Sequence, residues 1–281
     1  MKLSMMSYTL ARQRPKGERL DVPAMCRLTR ELRMEGIDFC ALHGYKPGEI
    51  REIASDHGLT AVCYTFPADI NWPDGDRRQA GVDVIRKGIE VASVLGTDKV
   101  MLPTPGKSGV PRNQSRRNII EGLKEAAPFA SEAGVRLTVE NFPGASSPFV
   151  TADDMLEAVR EVPGLRLTYD NGNAFTGEDP AESFRRCAAH VVHAHFKDWV
   201  KAAGDEGQRM LNGNRYRPAL IGEGVVDQRR CLQAMKEAGY SGFINIEYEG
   251  DDYPAAEAVR RAVGYLRRLM AEVDGEDGRT R

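Results

Sequence analysis

Apolar and polar residues alternate along this chain in two different rhythms. Apolar residues recur at every second position in KLSMMSYTL, IDFCALH, TAVCYTF, KVMLPTP, RLTVENF, LRLTYDN, VVHAHFKDW and FINIEYE. Period two with one apolar face predicts a β-strand for each. Between them the apolar positions return every three or four residues, which predicts helices over 79–95, 116–133, 151–162, 227–238 and 254–273. Thr151 and Asp154 have the spacing of a capping box, and Gly134, Gly164 and Gly239 stand where helices should stop. Strand-type and helix-type segments alternate without a linker. The expected fold is therefore α/β, a (β/α)8 TIM barrel forming a single domain over 1–273, with a flexible tail at 274–281.

A barrel directs the search for chemistry to the carboxyl ends of its strands, where the βα loops gather. The run LTYDNGN ends a strand on Asp170 and breaks into a glycine turn. Taken alone, Asp-Asn-Gly is common turn chemistry. Three other strands share its logic. With Leu137 and Val139 facing the helices, Glu140 faces inward; with Leu165, Leu167 and Tyr169 outward, Asp170 faces inward. Ala194 and Phe196 outward leave His193, His195 and Lys197 inward, and Ile244, Ile246 and Tyr248 outward leave Asn245 and Glu247 inward. Judged singly, either glutamate reads equally as a surface carboxylate and either histidine as a core residue bonded to a carbonyl. Agreement across four consecutive strands favours convergence of Glu140, Asp170, His195 and Glu247 on one point. Three carboxylates brought together repel one another unless protons or a cation share the site. A divalent metal resolves the conflict, and an oxygen-dominated set suits Mn²⁺ best, with Mg²⁺, Co²⁺ and Zn²⁺ as further candidates.

Composition narrows the function classes. Of 281 residues 28% are charged, yet the net charge is only −2, with the two signs interspersed, so neither a nucleic-acid footprint nor a basic membrane surface is expected. Five cysteines without a Cys-x-x-Cys pair read as reduced, mostly buried thiols. No apolar run is long enough for a membrane span or a signal peptide, and a cytoplasmic location is expected. The connection Lys201 to Gly224 is the longest after any strand, so it is expected to be a lid.

In VENFPG (139–144), YDNGN (169–173), HAHFKD (193–198), GEG (222–224) and IEYE (246–249) the chain resembles the sugar phosphate isomerase/epimerase family, the xylose isomerase-like TIM barrels. These motifs follow in family order across nearly the whole chain, and as an ordered set they are specific. The resemblance implies a metal bound by Glu140, Asp170, His195 and Glu247. It also implies that Glu140 and Glu247 are the catalytic groups, moving protons beside a substrate carbonyl through a metal-stabilised enediolate. A sugar isomerase or epimerase acting on a small carbohydrate is the leading expectation. If the enediolate carries a leaving group, the same first step gives a lyase, as in inosose dehydration or 3-keto C-glycoside cleavage. Many relatives have a histidine three residues after the strand-six aspartate, and Asn173 stands there here, which gives the lyase weight. Some related lyases work with a small partner subunit, so this arrangement and a homo-oligomer both stay open. An AP-endonuclease-like DNA repair enzyme is remote, because its histidine-rich cluster is not matched, and a non-catalytic barrel has little use for four ligands.

Further substrate-binding candidates each carry a plainer alternative. His43 is a substrate contact or a cap, Asn173 is a substrate contact in the place of the relatives' histidine, and Lys197 holds a substrate oxygen or is solvated. Asp198 orients Lys197 or caps the long loop. Trp72 stacks on a sugar or anchors its loop, and Arg215, Arg217 and Glu223 contact substrate or belong to the surface.

Overall fold

In the computed structural model, which describes residues 1–12 and 19–276, the chain closes a parallel barrel. Its strands are β1 (Lys2–Met6), β2 (Gly36–Phe39), β3 (Thr60–Thr65), β4 (Lys99–Leu102), β5 (Arg136–Glu140), β6 (Arg166–Asp170) and β7 (Val191–Phe196). Three further strands, β8 (Asp198–Lys201), β9 (Gln208–Arg209) and β10 (Arg215–Ala219), stand apart before β11 (Phe243–Ile246) returns to the barrel between β7 and β1. The expected TIM barrel is the observed one.

The helices follow the apolar period and the caps. Those at Gly75–Leu95, Arg112–Glu132, Ala152–Glu161, Gln228–Glu237 and Ala255–Glu276 correspond to the five expected. The first begins earlier than its apolar pattern because the Asp74 carboxylate accepts from Arg77 N. Both bonds of the Thr151–Asp154 capping box form. The last helix carries the first residues of the expected tail, and 277–281 lie outside the described residues. The first strand is shorter than its apolar run. It stops at Met6 and residues 7–11 turn into a helix, because Ser7 Oγ takes the Cys40 amide at 2.9 Å and the chain leaves the sheet. Among the described residues no helix is long and apolar enough to cross a membrane, and all five cysteines are free thiols.

Outward side chains such as Val139, Leu167, Phe196 and Ile246 are buried under the helices. Inside the barrel the filling is polar. Ser4, Asp38, Thr138, Thr168, His193 and Asn245 are all fully buried. Thr138 and Thr168 hydroxyls meet at 2.8 Å, and Ser4 Oγ donates to Asn245 Oδ1 at 3.2 Å. Buried polar groups are tolerated when they bond one another, so this layer supports the strand ends above it.

The connection expected to be a lid is folded. β8, β10 and β9 form an antiparallel sheet with a small core of Trp199, Met210, Tyr216 and Val226, against which Phe175 packs. Asp198, 1% exposed, anchors it: its carboxylate accepts the amides of Trp199 (2.9 Å), Gly222 (2.9 Å), Gly224 (3.1 Å) and Val226 (3.0 Å). A Cβ at Gly224 would lie 2.1 Å from Asp198 Oδ1, which explains the second glycine of GEG. Asp198 thus caps the excursion rather than orienting Lys197. Replacing it with alanine strips a shared acceptor from four donors, and a loss of about 2–4 kcal/mol is expected. Thermal unfolding together with faster hydrogen exchange at Gly222, Gly224 and Val226 would report it; unchanged exchange would mean that Asp198 is not the anchor.

Candidate metal centre

Sheet register brings the candidate ligands together. Asp170 is level with His195 across β6–β7, and His195 with Asn245 across β7–β11, so Glu247 emerges just above that level. Glu140 is paired with Thr168, one pleat below Asp170. Asn141 clamps the ends of β5 and β6, donating Nδ2 to Asp170 O at 2.7 Å and accepting the Asp170 amide at 2.8 Å. Beyond Asp170 the chain enters the short helix Asn171–Phe175, and Asp170 Oδ1 caps it by accepting Asn173 N at 2.6 Å. Its second oxygen, Oδ2, is buried without a partner. The turn glycine is dictated by contact: a Cβ at Gly172 would meet Lys197 Cγ at 2.4 Å. The DNG turn is therefore a cap that also leaves one Asp170 oxygen facing the cluster.

Glu140, Asp170, His195 and Glu247 each offer one donor atom within 4.8 Å of the others. His195 Nδ1 lies 2.7 Å from Glu140 Oε1 and 3.8 Å from Glu247 Oε2. Lys197 Nζ, also buried, reaches Glu247 Oε1 and Glu249 Oε2 at 3.1 Å and Asp170 Oδ2 at 3.7 Å. Burial pushes the Asp170 carboxyl up to about 7, with Lys197 opposing and Glu140 adding to the rise. Burial likewise pushes Glu247 up to about 8 against the pull of Lys197, reinforced by Glu249 and Glu140. Burial disfavours a charged His195 ring, but Glu140, Asp38 and Glu247 outweigh it and hold its pKa well above the ordinary value. The site is short of positive charge. Asp170 Oδ2 and Glu247 Oε2 are buried acceptors with no hydrogen-bond partner, their nearest cations being Lys197 at 3.7 Å and His195 at 3.8 Å, in a cluster of hard oxygen donors and one imidazole. That set fits a divalent cation.

The other sequence candidates divide. Lys197 and Arg217 line a cavity of about 330 Å³ at the mouth, with Arg12, Phe142, Trp199 and Tyr216. Asn173 is fully buried beside Asp170; it donates to Asn141 O at 2.9 Å and leaves Oδ1 unpartnered. His43, in a left-handed conformation (φ 49°), sits 3.0 Å from Ser7 Oγ after β2, outside the residues lining this cavity. Trp72 is also away from it: Nε1 donates to Asp69 at 2.9 Å, and Lys107 Nζ lies 3.2 Å from the ring centroid, so the indole ties down its own loop. Glu223 was expected at the substrate. Its carboxylate instead accepts from Tyr253 OH at 2.9 Å and pairs with Arg261 of the last helix, because the Asp198 anchor turns GEG outward. Arg215 is spent on Gly207 O at 2.9 Å. Residues that sequence reading passed over are Asn141, Glu249, Gln228 and Asp38. Gln228 joins Asn171 Nδ2 (2.6 Å) to Lys197 O (3.1 Å). Asp38 has the same inward parity on β2 that singled out the ligands, and this was the available signal.

The sequence profile of the xylose isomerase-like TIM barrel matches residues 28–269. The chain belongs to this family. Among its relatives, L-ribulose-5-phosphate 3-epimerase of Shigella flexneri is 28% identical over 206 residues, which are 69% of this chain and 66% of that enzyme. Inosose dehydratase of Lacticaseibacillus casei is 28% identical over 157 residues, 53% of each chain. The chain thus matches just under two thirds of the first relative and about half of the second. A solved L-ribulose 3-epimerase superposes with a TM-score of 0.79 over 99% of this chain and 97% of its own, at 17% identity, a likeness of fold.

A cation at these four residues predicts a measurable stabilisation. Mn²⁺ at about a hundred times its Kd should add about 2.7 kcal/mol to unfolding. Asp170→Ala and His195→Ala should abolish the shift, while Arg217→Ala keeps it. A wild-type protein whose melting is indifferent to Mn²⁺, Mg²⁺, Co²⁺ and Zn²⁺ alike would refute the centre.

Proposed function

We propose that this protein is a divalent-metal-dependent sugar isomerase or epimerase. The observation that carries the reading is that two buried glutamates, Glu140 on β5 and Glu247 after β11, approach one cluster from strands separated by β6 and β7. Lys197 holds Glu247 Oε1 at 3.1 Å, and Oε2 has no hydrogen-bond partner, so one carboxylate oxygen can face the ion and the other the substrate. One glutamate takes the proton from the carbon beside a carbonyl, and the C–H electron pair passes into that carbonyl, giving an enediolate. The other returns a proton. Return to the opposite face of the same carbon inverts it; return to the former carbonyl carbon, with the proton of the neighbouring hydroxyl passing to the former carbonyl oxygen, moves the carbonyl. A divalent ion held by Glu140, Asp170, His195 and Glu247 would polarise the carbonyl and offset charge developing on its oxygen. Phe142, Trp199 and Tyr216 give the mouth walls that can exclude water.

An unphosphorylated keto-sugar fits this mouth best. Its described cations are already matched by carboxylates: Lys197 by Glu247 and Glu249, Arg217 by Asp252 at 2.8 Å, and Arg12 by Asp251 at 3.8 Å. The phosphate named for the Shigella relative is that enzyme's. A second reading, β-elimination on a keto-sugar, is favoured by Asn173, whose carboxamide cannot shuttle protons, and by the partial match to inosose dehydratase. A DNA repair role has no comparable support.

Turnover of free ketoses, their phosphates, inososes and 3-keto-glycosides with Mn²⁺, followed by NMR, separates the readings: an inverted or shifted carbonyl means isomerase chemistry, and loss of water or an aglycone means lyase. Glu140→Gln and Glu247→Gln should each slow deuterium wash-in from D₂O at the substrate carbon by at least about a hundredfold. Wild-type exchange in either variant removes that glutamate from proton transfer, and preference for the phosphates overturns the substrate class.

A further inference from the structure

Beneath the candidate ligands lies a fully buried group to which neither the motifs nor the relatives assign a role. Asp38, on β2 across the barrel from β6, is 0% exposed. Its Oδ2 accepts from His193 Nε2 at 2.5 Å and lies 3.5 Å from His195 Nε2. The two imidazoles meet edge to face, with ring centroids 4.9 Å apart at 88°. Ser4 Oγ is 3.5 Å from the other oxygen of Asp38, and the same hydroxyl donates to Asn245. Each of these residues is buried, so none of the contacts is made by chance of solvent exposure.

The geometry of His195 makes this arrangement consequential. Its ring has one nitrogen, Nδ1, toward Glu140 and Glu247, and the other, Nε2, toward Asp38. A neutral imidazole carries one proton, and a metal takes only the bare nitrogen. Nε2 has no hydrogen-bond partner, and the Asp38 carboxylate 3.5 Å behind it is the nearest charge; its field favours the proton on Nε2, which leaves Nδ1 to present its lone pair to the other candidate ligands. With a donor behind Nε2 the proton would move to Nδ1 and occupy the place of the ion.

We propose that Asp38, held by His193, is a positioning residue that fixes His195 in the tautomer able to bind the metal through Nδ1. The inference rests on the metal centre proposed above. Aspartate is required for its acceptor oxygens rather than for its volume. An asparagine of the same shape can keep an oxygen toward His193 and His195 but carries no charge, so it holds the Nε2 proton more weakly, and in the flipped orientation its amide would block Nδ1 by favouring the other tautomer. His193, with its short bond to Oδ2, keeps the carboxylate aimed and would matter through Asp38 alone.

Mn²⁺ affinity measured by EPR on the whole protein tests this without reference to turnover. Asp38→Asn should weaken binding about 10- to 100-fold, the usual effect of losing the partner behind a metal-bound histidine. The melting temperature of the metal-free variant should stay near wild type, and Ser4→Ala should bind Mn²⁺ as wild type does. Should Asp38→Asn fail to fold, ¹⁵N NMR of the histidine rings in Zn²⁺-loaded wild type gives the same answer. His195 should keep its proton on Nε2. Wild-type affinity in Asp38→Asn, or a proton on Nδ1 in the loaded protein, overturns the role of Asp38 while leaving the centre intact. No Mn²⁺ binding by wild type overturns the centre itself and this inference with it.

Discussion

Like charges confined to one small, dry space govern this molecule. Glu140, Asp170 and Glu247 are drawn together by strand register, with Glu249 and Asp38 close behind, and among the described residues Lys197, Arg12 and the imidazoles of His193 and His195 oppose them. Removing that many carboxylates from water is expensive unless each is answered by a donor or a cation. Much of the surrounding structure supplies donors: Asn173 N to Asp170, Lys197 to Glu247 and Glu249, His193 to Asp38. The oxygens left over face one another at the point where an ion would sit. Preorganisation for binding and electrostatic tension in the free protein are here the same property.

The architecture and the convergence of Glu140, Asp170, His195 and Glu247 were readable from the chain because both depend on period two. Parity along a strand decides which side chains face inward, and parity survives small errors in where a strand begins. What parity does not carry is the third dimension of a loop. Glu223 sits in a motif that looks catalytic, yet the turn made by GEG is set by Asp198, twenty-five residues earlier in the chain, and it sends the glutamate outward. Trp72 is anchored by Asp69 and Lys107 in the same way, through contacts between loops that no spacing rule encodes. Asp38 was hidden for a different reason. It obeys the inward rule but lies a layer deeper, and its meaning appears only when His193 and His195 are seen across the barrel.

The polar layer inside the barrel extends this point. Most of what fills it is serine, threonine, asparagine and histidine rather than branched aliphatics, and every strand end of the site stands on it. Thr138 bonded to Thr168 ties the strands that carry Glu140 and Asp170 one step below those residues. Such a layer stabilises less than an apolar one of equal volume, but its bonds have direction. It fixes rotation and height of neighbouring strands, and the ligands inherit that alignment.

The folded excursion after β7 has a different kind of consequence. Its sheet is joined to the barrel loops through main-chain amides gathered on one carboxylate, through the indole of Trp199 on Gly172 O at 2.9 Å, and through Ala145 N on Arg209 O at 3.1 Å and Asn212 N on Thr176 O at 2.9 Å. Small glycines let Asp198 and Lys197 approach. Tyr216, Arg217 and Gln208, which face the mouth, are tied to the barrel loops as well: the Tyr216 ring meets Phe175 edge to face, Gln208 Nε2 donates to Pro143 O at 3.4 Å, and Arg217 pairs with Asp252 at 2.8 Å. The excursion therefore couples the mouth to the strand ends: a substitution on its inner face also bears on Phe175, the last residue of the short helix that Asp170 caps, so the shape of the cavity and the placement of Asp170 are set together.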